Sequence, residues 1–227
     1  MSRLRKYLND VRTLPADALL AHRHEGMRGL WKAVAVRSVH RLLRAGRLIV
    51  FAHTLDGAFE PSLPRGIRIA LATEQDWPAL AALAGQRELS RFRSLLAKGR
   101  RCLIAWREET PVGYAWLADG VGPDVVMWPL PLEFPTSAAY LWNLYVVPAE
   151  RSNGIGSALA SARLRLAQAE GFREGWRMVA PSNEPSLRTV RKSASGTRVV
   201  GEIRFLQLFS RTYARFTPHS TSTAVTS

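Results

Sequence analysis

The chain has 227 residues, of which 47% are hydrophobic and 22% are charged, and its formal net charge is +14. This hydrophobic content is ordinary for a folded domain and excludes a mainly disordered chain. A single cysteine, Cys102, excludes a disulfide-built scaffold and a metal site of the cysteine type. The length predicts one domain with an additional segment. The longest strongly apolar run, residues 48–52, is too short to span a bilayer.

The positive charge is concentrated near the N-terminus. Residues 1–56 contain eleven Lys or Arg and four Asp or Glu, so the first quarter of the chain carries half of the net charge. In residues 25–45, apolar residues recur at helical spacing and arginines gather on another face. This pattern predicts a basic amphipathic helix that ends at Gly46. The histidines of this region have no acidic or cysteine partner at the spacing of metal ligands: His22, His24, His40 and His53.

Three interpretations of this helix follow from its charge. Its apolar stripe packs on the rest of the protein, or it lies on an anionic membrane surface, or it receives an acidic carrier protein or acidic substrate. Its aromatic residues do not alternate with the arginines, which argues against a nucleic-acid partner. The N-terminus lacks the apolar segment of a signal peptide, so we expect a cytoplasmic protein that is soluble or peripheral to a membrane.

The elements predicted beyond this helix describe a mixed α/β domain over residues 65–216. Residues 1–64 form the basic N-terminal extension, which also contains a short strand over 47–55 and a linker over 56–64. Strands are predicted over 67–71, 102–106, 112–117, 140–147 and 174–179, and a final hairpin over 197–213. Helices are predicted over 74–84, 88–98, 156–170 and 184–193. A long apolar loop covers 120–138, and residues 217–227 are expected to be a disordered tail.

Residues 140–159 contain the most informative pattern: a strand, a glycine-containing turn and a helix. The first N–H groups of such a helix point outward with the positive end of the helix dipole behind them, which predicts a phosphate or pyrophosphate site. Gly154 and Gly156 let a diphosphate approach the backbone, and Arg151 adds a charged donor. Ser157 stands where a P-loop has lysine, and Leu159 replaces the third small residue of a dinucleotide fingerprint.

This segment resembles the signature of the GNAT acyltransferase superfamily. Residues 151–156, Arg-Ser-Asn-Gly-Ile-Gly, match the pattern Arg/Gln-x-x-Gly-x-Gly/Ala, and residues 143–148, Asn-Leu-Tyr-Val-Val-Pro, resemble the strand that leads into it. Residues 67–83, 183–187 and 199–203 are similar to the opening strand and helix, a later helix start and the penultimate strand of the family. The resemblance covers about residues 65–213.

The resemblance implies an α/β fold with a splayed, mostly antiparallel mixed sheet flanked by helices, and acyl-CoA held in a V-shaped gap of that sheet. The pantetheine arm would pair with the backbone of Val146 and Val147, and Asn183 and Ser186 would contact the cofactor. The backbone N–H groups expected to bind the pyrophosphate are those of Arg151, Ser152, Asn153, Gly154, Ile155 and Gly156.

The resemblance identifies the catalytic side chains less completely than the cofactor-binding residues. Many members of the family have an acidic tyrosine seven residues after the helix-start asparagine, and Val190 stands there in this sequence. The acid role then moves to Tyr213, Ser186 or a water, or the thiolate leaves unassisted. A water chain ending at Glu133 is the hypothesis for the base. The catalytic candidates are Glu133, Asn143, Tyr145 and Tyr213.

Several of these residues also have a purely structural interpretation. Asn183 is a suitable helix cap, Tyr145 lies on an apolar strand and suits a core, and Glu133 is typical of an exposed loop. Cys102, inside a strand, is expected to be a small buried apolar residue.

The function expected from the sequence is an N-acetyltransferase that uses acetyl-CoA and no metal. The acceptor is a primary amine of a small molecule, an amino sugar or a lipid-linked precursor, which attacks the thioester directly. One alternative is transfer of a long acyl chain from CoA or a carrier protein at a membrane surface. The other is a module that binds CoA without turnover. The sequence does not predict the oligomeric state.

Overall fold

The fold is taken from a computed structural model that describes residues 43–57, 62–122, 125–126, 130–192, 196–208 and 211–219. The predicted amphipathic helix over 25–45 lies outside these residues except for its last three, which belong to a strand. The predicted tail starts two residues too early, because the last strand extends to Pro218.

Eight strands and four α-helices make up the described part of the chain. The strands are β1 (Leu43–Thr54), β2 (Ile67–Leu71), β3 (Arg101–Arg107), β4 (Thr110–Ala118), β5 (Ala138–Val146), β6 (Glu174–Val179), β7 (Thr197–Leu208) and β8 (Arg211–Pro218). The helices are α1 (Trp77–Ala84), α2 (Gln86–Ala97), α3 (Ile155–Ala169) and α4 (Glu184–Lys192). Short 3-10 turns precede α1 and follow β5. The predicted strands over 67–71 and 174–179 have the observed bounds, and the other predicted elements of the domain differ from the observed ones at their ends.

The strands form one sheet in the order β2-β3-β4-β5-β6-β1-β7-β8. Four neighbouring pairs are antiparallel, and β5 and β6 are parallel. This open, mostly antiparallel sheet flanked by helices confirms the predicted fold class. The strand assigned to the N-terminal extension is β1, and it pairs with β6 inside this sheet. Its residues Val50 and Ala52 are buried, so this segment stabilises the same sheet as the domain predicted to begin at residue 65.

The chain divides into two compact units. The first comprises residues 1–46 and 205–213, and in it Phe205 leaves no room for a side chain on Gly46, because its ring lies 2.5 Å from where a Cβ would stand. The second comprises residues 47–204 and 214–227. It contains the elements from β2 to α4.

Two helical layers cover the sheet within the second unit. On one face, Leu80 of α1 and Phe92 of α2 pack with Trp116 of β4. On the other face, Leu159 of α3 packs with Ala115 of β4. The apolar loop before β5 also contributes to a core, since Leu130, Leu132 and Phe134 pack beside Val50 and Trp176. None of the helices in the part of the chain that the structure describes is long and apolar enough to cross a membrane.

Candidate functional site

A gap opens in the sheet between β5 and β6. The two strands pair only from Ala138 and Glu174 to Tyr140 and Trp176. Beyond these pairs β5 continues to Val146 and β6 to Val179 without pairing to each other. The facing edges therefore carry backbone groups that a ligand threaded between the strands can use, in the way a neighbouring strand would.

The turn that joins β5 to α3 lies at the end of this gap. It contains the 3-10 turn Pro148–Glu150, and Ser152 and Gly154 have positive φ angles of 68° and 80°. Within α3, the N–H of Ala158 donates to the carbonyl of Gly154 at 3.0 Å. The N–H groups just before Ala158 have no carbonyl of the helix within reach, and the positive end of the helix dipole lies behind them. This is the geometry of an anion site.

The two glycines of the turn have different reasons to be glycine. Gly154 adopts a left-handed conformation, and a Cβ there would also contact Pro64 at 3.4 Å. At Gly156 a Cβ would stand 3.9 Å from Leu144 and Val146, which is ordinary contact. Protein atoms therefore leave room for a methyl group at position 156, and a requirement for glycine there would come from a bound ligand.

An ion pair joins the turn to Arg107 of β3. Arg107 donates through Nε to Oε1 of Glu150 at 2.7 Å and through Nη2 to Oε2 at 2.8 Å. Asn153 Nδ2 donates to the same carboxylate at 3.4 Å. The hydrogen bonds from Arg107 hold the pKa of Glu150 below its usual value. No sequence pattern indicates this pair, because its members are far apart in the chain and belong to no motif.

Some of the backbone groups expected to bind the cofactor already have partners. The N–H of Val147 donates to the carbonyl of Val112 at 3.0 Å, and the N–H of Arg151 donates to that of Pro148 at 3.3 Å. The carbonyl of Val146 accepts from Nε of Arg151 at 3.1 Å. The guanidinium group of Arg151 also lies 6.0 Å from the ring centre of Tyr145. A ligand that pairs with the Val146 carbonyl either shares this acceptor with the Arg151 side chain or displaces it.

A β-bulge interrupts β5 beside the gap. The register changes between the pairs Tyr114–Tyr145 and Trp116–Trp142, and Asn143 has a φ of 47°. One additional residue on β5 accounts for this shift. Gly113 of β4 fits the close approach, because a Cβ on it would lie 2.6 Å from the carbonyl oxygen of Tyr145.

A buried arginine hydrogen-bonds to both β4 and β5 next to this bulge. Arg163 of α3 is 2% exposed, and its Nη1 donates to the carbonyls of Trp116 at 3.2 Å and Trp142 at 2.8 Å. Its Nε is buried without a hydrogen-bond partner. Burial lowers the pKa of this guanidinium group. No sequence pattern distinguishes Arg163 from any other arginine of a helix.

A second buried polar group links β6, β1 and β7. Arg177 Nε donates to Nε2 of His53 at 2.7 Å, and His53 Nδ1 lies 2.7 Å from the hydroxyl of Thr197. Because arginine only donates, the imidazole proton belongs on Nδ1 and is donated to Thr197. Burial, followed by the charges of Arg177 and Arg163, lowers the pKa of His53 to about 2. His53 is therefore neutral in the folded protein.

Asn183 and Ser186 lie at the start of α4, directly after β6. Asn183 accepts the N–H of Ser186 on Oδ1 at 3.2 Å and the N–H of Leu187 on its carbonyl at 3.0 Å, so it caps the helix. Val190, where a tyrosine is expected in the family, is 1% exposed and packs with Phe51 and other core residues. Position 190 is therefore a core position in this chain.

The remaining predicted residues lie elsewhere. Glu133 is exposed in the loop that precedes β5. Tyr213 is 56% exposed on β8, in the first unit. Cys102 is buried, and burial raises the pKa of its thiol. Among the residues that the structure describes, no group of three or more His, Cys, Asp or Glu could hold a metal ion.

Solved structures with the same fold include three acetyltransferases or acetyltransferase regions. A GCN5-related N-acetyltransferase from Sphaerobacter thermophilus is 19% identical with a TM-score of 0.52, and the match covers 85% of this chain and 59% of that one. A GNAT-family acetyltransferase from Colwellia psychrerythraea is 14% identical with a TM-score of 0.51, over 73% and 56%. A GCN5-related glucosamine N-acetyltransferase region of a fungal β-N-acetylglucosaminidase is 13% identical with a TM-score of 0.54, over 76% and 22%.

These identities establish the fold and nothing finer, and the chain spans less than two thirds of each of the three structures. The sequence matches none of the curated proteins with which it was compared. The sequence profile of the acetyltransferase (GNAT) family matches residues 68–194, which include the parted strands, the turn and α3. The chain therefore belongs to the acetyltransferase (GNAT) family.

Proposed function

We propose that this enzyme transfers an acetyl group from acetyl-CoA to a primary amine of a small molecule by direct attack of the amine on the thioester. Members of the family generally use acetyl-CoA and act on small amine acceptors. The observation that carries the proposal is the parting of β5 and β6 beside a turn with the geometry of an anion site. An extended ligand with a diphosphate at one end and a thioester further along suits these two features together.

In this proposal the turn binds the pyrophosphate through the N–H groups of residues 152–156. The N–H of Arg151 is excluded, because it donates to Pro148 within the turn. The left-handed conformation of Gly154 turns the chain into α3. The missing side chain of Gly156 lets the diphosphate reach the backbone.

The Arg151 side chain changes partners when the cofactor binds. In the structure it donates to the carbonyl of Val146, an edge group of β5 that the pantetheine arm would use. Entry of the arm releases the guanidinium group, which then adds a charged donor to the diphosphate. The Arg151 side chain thus neutralises charge on the diphosphate and leaves the edge of β5 free for the pantetheine arm.

The chemistry needs positioning of the amine and a path for its proton. The amine nitrogen forms a bond to the thioester carbon, the C–S bond breaks, and the CoA thiolate leaves. The tetrahedral centre would lie beside Asn143 and Tyr145, at the bulge of β5. We propose Glu133 as the end of a water chain that accepts the amine proton, since it is an exposed carboxylate in the loop leading to β5.

Binding of CoA, acetyl-CoA and palmitoyl-CoA to the purified protein tests this proposal. A ligand that binds only the folded state stabilises it by about 2.7 kcal/mol at a hundredfold excess over Kd. We expect CoA and acetyl-CoA to raise the melting temperature to a similar extent. Selective stabilisation by palmitoyl-CoA would favour the long-chain alternative, in which the basic helix predicted over 25–45 would face the membrane. No response to any of the three would contradict the proposal.

Two glutamate variants locate the pyrophosphate. Gly156→Glu places a carboxylate in the turn and should abolish CoA binding while the variant still melts cooperatively. Gly57→Glu is the matched control, because a Cβ at Gly57 would meet no atom within 4 Å and this glycine has no positive φ. The control should bind CoA as the wild type does. Unchanged CoA affinity in Gly156→Glu would remove the turn from the proposed site.

A further inference from the structure

Aromatic rings cluster at the closed end of the gap between β5 and β6. Tyr140 and Trp176 form the last pair of these two strands. Phe134, from the loop before β5, makes edge contacts with both rings, at 5.9 Å from Tyr140 and 5.4 Å from Trp176 between ring centres. Trp142, two residues further along β5, stacks on Tyr140 at 5.8 Å. The four rings therefore form one continuous aromatic surface that begins where the strands part.

A pocket lies against this aromatic surface. Its lining residues include Phe134, Tyr140 and Trp176, together with Leu132 of the loop and Met178 of β6. The space between these side chains is only about that of a water molecule. The loop side chains are half-buried, so a ligand makes room by displacing them outward. A body that enters is surrounded by rings and alkyl groups.

The pocket lies next to the position proposed for the thioester. Parallel strands advance together, so Met178 stands across the gap at the level of Trp142. Asn143 is the next residue of β5, about 3.3 Å further along. Trp142 and Met178 also pack against the same core cluster as Tyr145. An amine nitrogen joined by a short carbon chain to a body in the pocket therefore reaches the thioester carbon.

The charges at the pocket favour an acceptor with a single amino group. Among the described residues that line it, none is acidic, and the one charged residue is the buried Arg177. This guanidinium group repels a second ammonium group. Glu133, the proposed end of the water chain, stands between two lining residues of the loop and provides one carboxylate for one nitrogen.

The polarity of the lining also selects against sugars. The hydroxyl groups of an amino sugar would lose water on entering the pocket and would meet rings and alkyl groups in its place. Burial of a hydroxyl group without a hydrogen-bond partner opposes binding. Burial of an aryl or alkyl body favours it, because apolar surface leaves water.

We propose that the acceptor is a primary amine with a single charge and an apolar body, aryl or alkyl, and that the pocket formed by Phe134, Tyr140, Trp176 and Met178 binds this body. The inference rests on the proposed function. The neutral amine nitrogen forms a bond to the thioester carbon, the C–S bond breaks, and CoA leaves as the thiolate. The amine proton passes to the water chain that ends at Glu133. The product is an uncharged N-acetyl amine.

Hexylamine and hexamethylenediamine test the charge requirement, because they have the same carbon chain and differ by one ammonium group. Release of the CoA thiol at saturating acetyl-CoA gives kcat/KM for each amine. We expect the wild type to prefer hexylamine by about tenfold or more, and phenethylamine over glucosamine by a similar factor. An equal or greater kcat/KM for the diamine or for glucosamine would overturn the inference.

Binding of phenethylamine to the complex with CoA tests the pocket without turnover, because CoA has no acetyl group to transfer. Phe134→Ala removes one ring and should raise the Kd for phenethylamine about tenfold, with the Kd for CoA within about twofold. Phe172→Ala is the matched control, since it removes a half-buried ring that packs with residues of α3. The control should bind the amine as the wild type does. Unchanged amine affinity in Phe134→Ala would remove the pocket from the acceptor site.

Leu132→Glu provides a second variant at a half-buried loop position. A carboxylate there attracts the second ammonium group of the diamine. The preference for hexylamine over hexamethylenediamine should therefore fall by about fivefold or more. An unchanged preference would contradict the position proposed for the apolar body. This ratio also decides the matter if Phe134→Ala fails to fold.

Failure of this inference is distinguishable from failure of the proposed function. A wild type that binds acetyl-CoA but acetylates polar amines in preference to apolar ones overturns the inference and leaves the proposed function in place. The same holds if the CoA complex does not bind phenethylamine. A wild type that binds neither CoA nor acetyl-CoA overturns both, and the melting temperatures show this before any amine is compared.

Discussion

At the scale of single residues, the acidic side chain in the anion turn is the feature that most needs explanation. A carboxylate at Glu150 would repel a diphosphate, and Arg107 neutralises it with two hydrogen bonds. Both side chains are partly exposed, so their direct contribution to folding stability is small. Their importance is instead that the pair fixes the turn and removes a negative charge from the proposed pyrophosphate site.

Arg107→Ala should therefore weaken CoA binding by about three- to tenfold and change the free energy of unfolding little. Arg101→Ala is the control, because Arg101 lies on the same strand and forms a similar ion pair with Glu170. Titration calorimetry with CoA measures both variants. Equal affinity of Arg107→Ala and the wild type would show that Glu150 does not face the ligand.

The two glycines of the turn give a second prediction at this scale. Gly154→Ala forces a side chain into the left-handed region and should lower the free energy of unfolding by about 1–2 kcal/mol. Gly156→Ala has room for its methyl group and should leave the free energy of unfolding nearly unchanged. Urea unfolding of the two variants decides this, and a larger loss in Gly156→Ala would contradict the geometry of the turn.

At the scale of elements, the bulge of β5 depends on a side chain from another element. Arg163 of α3 donates to backbone carbonyls of both β4 and β5. Burying a carbonyl without a hydrogen-bond partner lowers folding stability, and burying a charge lowers it too. The hydrogen bonds decide the net effect on stability here, because removing the guanidinium group takes a donor away from two carbonyls.

We expect Arg163→Met to lower the free energy of unfolding by about 1–3 kcal/mol. Arg165→Met changes an exposed arginine of the same helix and should stay within about 0.5 kcal/mol of the wild type. Denaturant unfolding with circular dichroism measures both. An Arg163→Met protein as stable as the wild type would mean that desolvation of the charge offsets its hydrogen bonds.

At the scale of the whole molecule, the buried imidazole makes stability depend on pH. His53 has a pKa of about 2 in the folded protein against an ordinary value of 6.5. Below about pH 6.5 the unfolded chain binds a proton at His53 that the folded protein does not bind. This contribution to stability is therefore complete above pH 6.5 and is lost progressively as the pH falls.

The slope of this loss approaches about 1.4 kcal/mol per pH unit. Between about pH 6.5 and pH 5, the wild type should lose about 2 kcal/mol more of its free energy of unfolding than His53→Gln, which does not titrate. Urea unfolding across this range measures the two slopes. Equal slopes would show that His53 takes up a proton in the folded protein.

The sequence by itself determined the local elements and the motif. Periodicity, capping residues and the contiguous segment from residue 140 to 159 are encoded by near neighbours, so the strand, turn and helix of the anion site and their resemblance to the GNAT family were predictable. The bounds of β2 and β6 were predicted for the same reason.

Only the tertiary structure decided which distant residues meet. Segments far apart in the chain meet in four places: β1 beside β6, the parted strands β5 and β6, the Arg107–Glu150 pair, and the hydrogen bonds of Arg163 to Trp116 and Trp142. Such contacts depend on strand order and register, and a single additional residue in β5 changes the face of every side chain beyond it. Local sequence patterns do not contain that information.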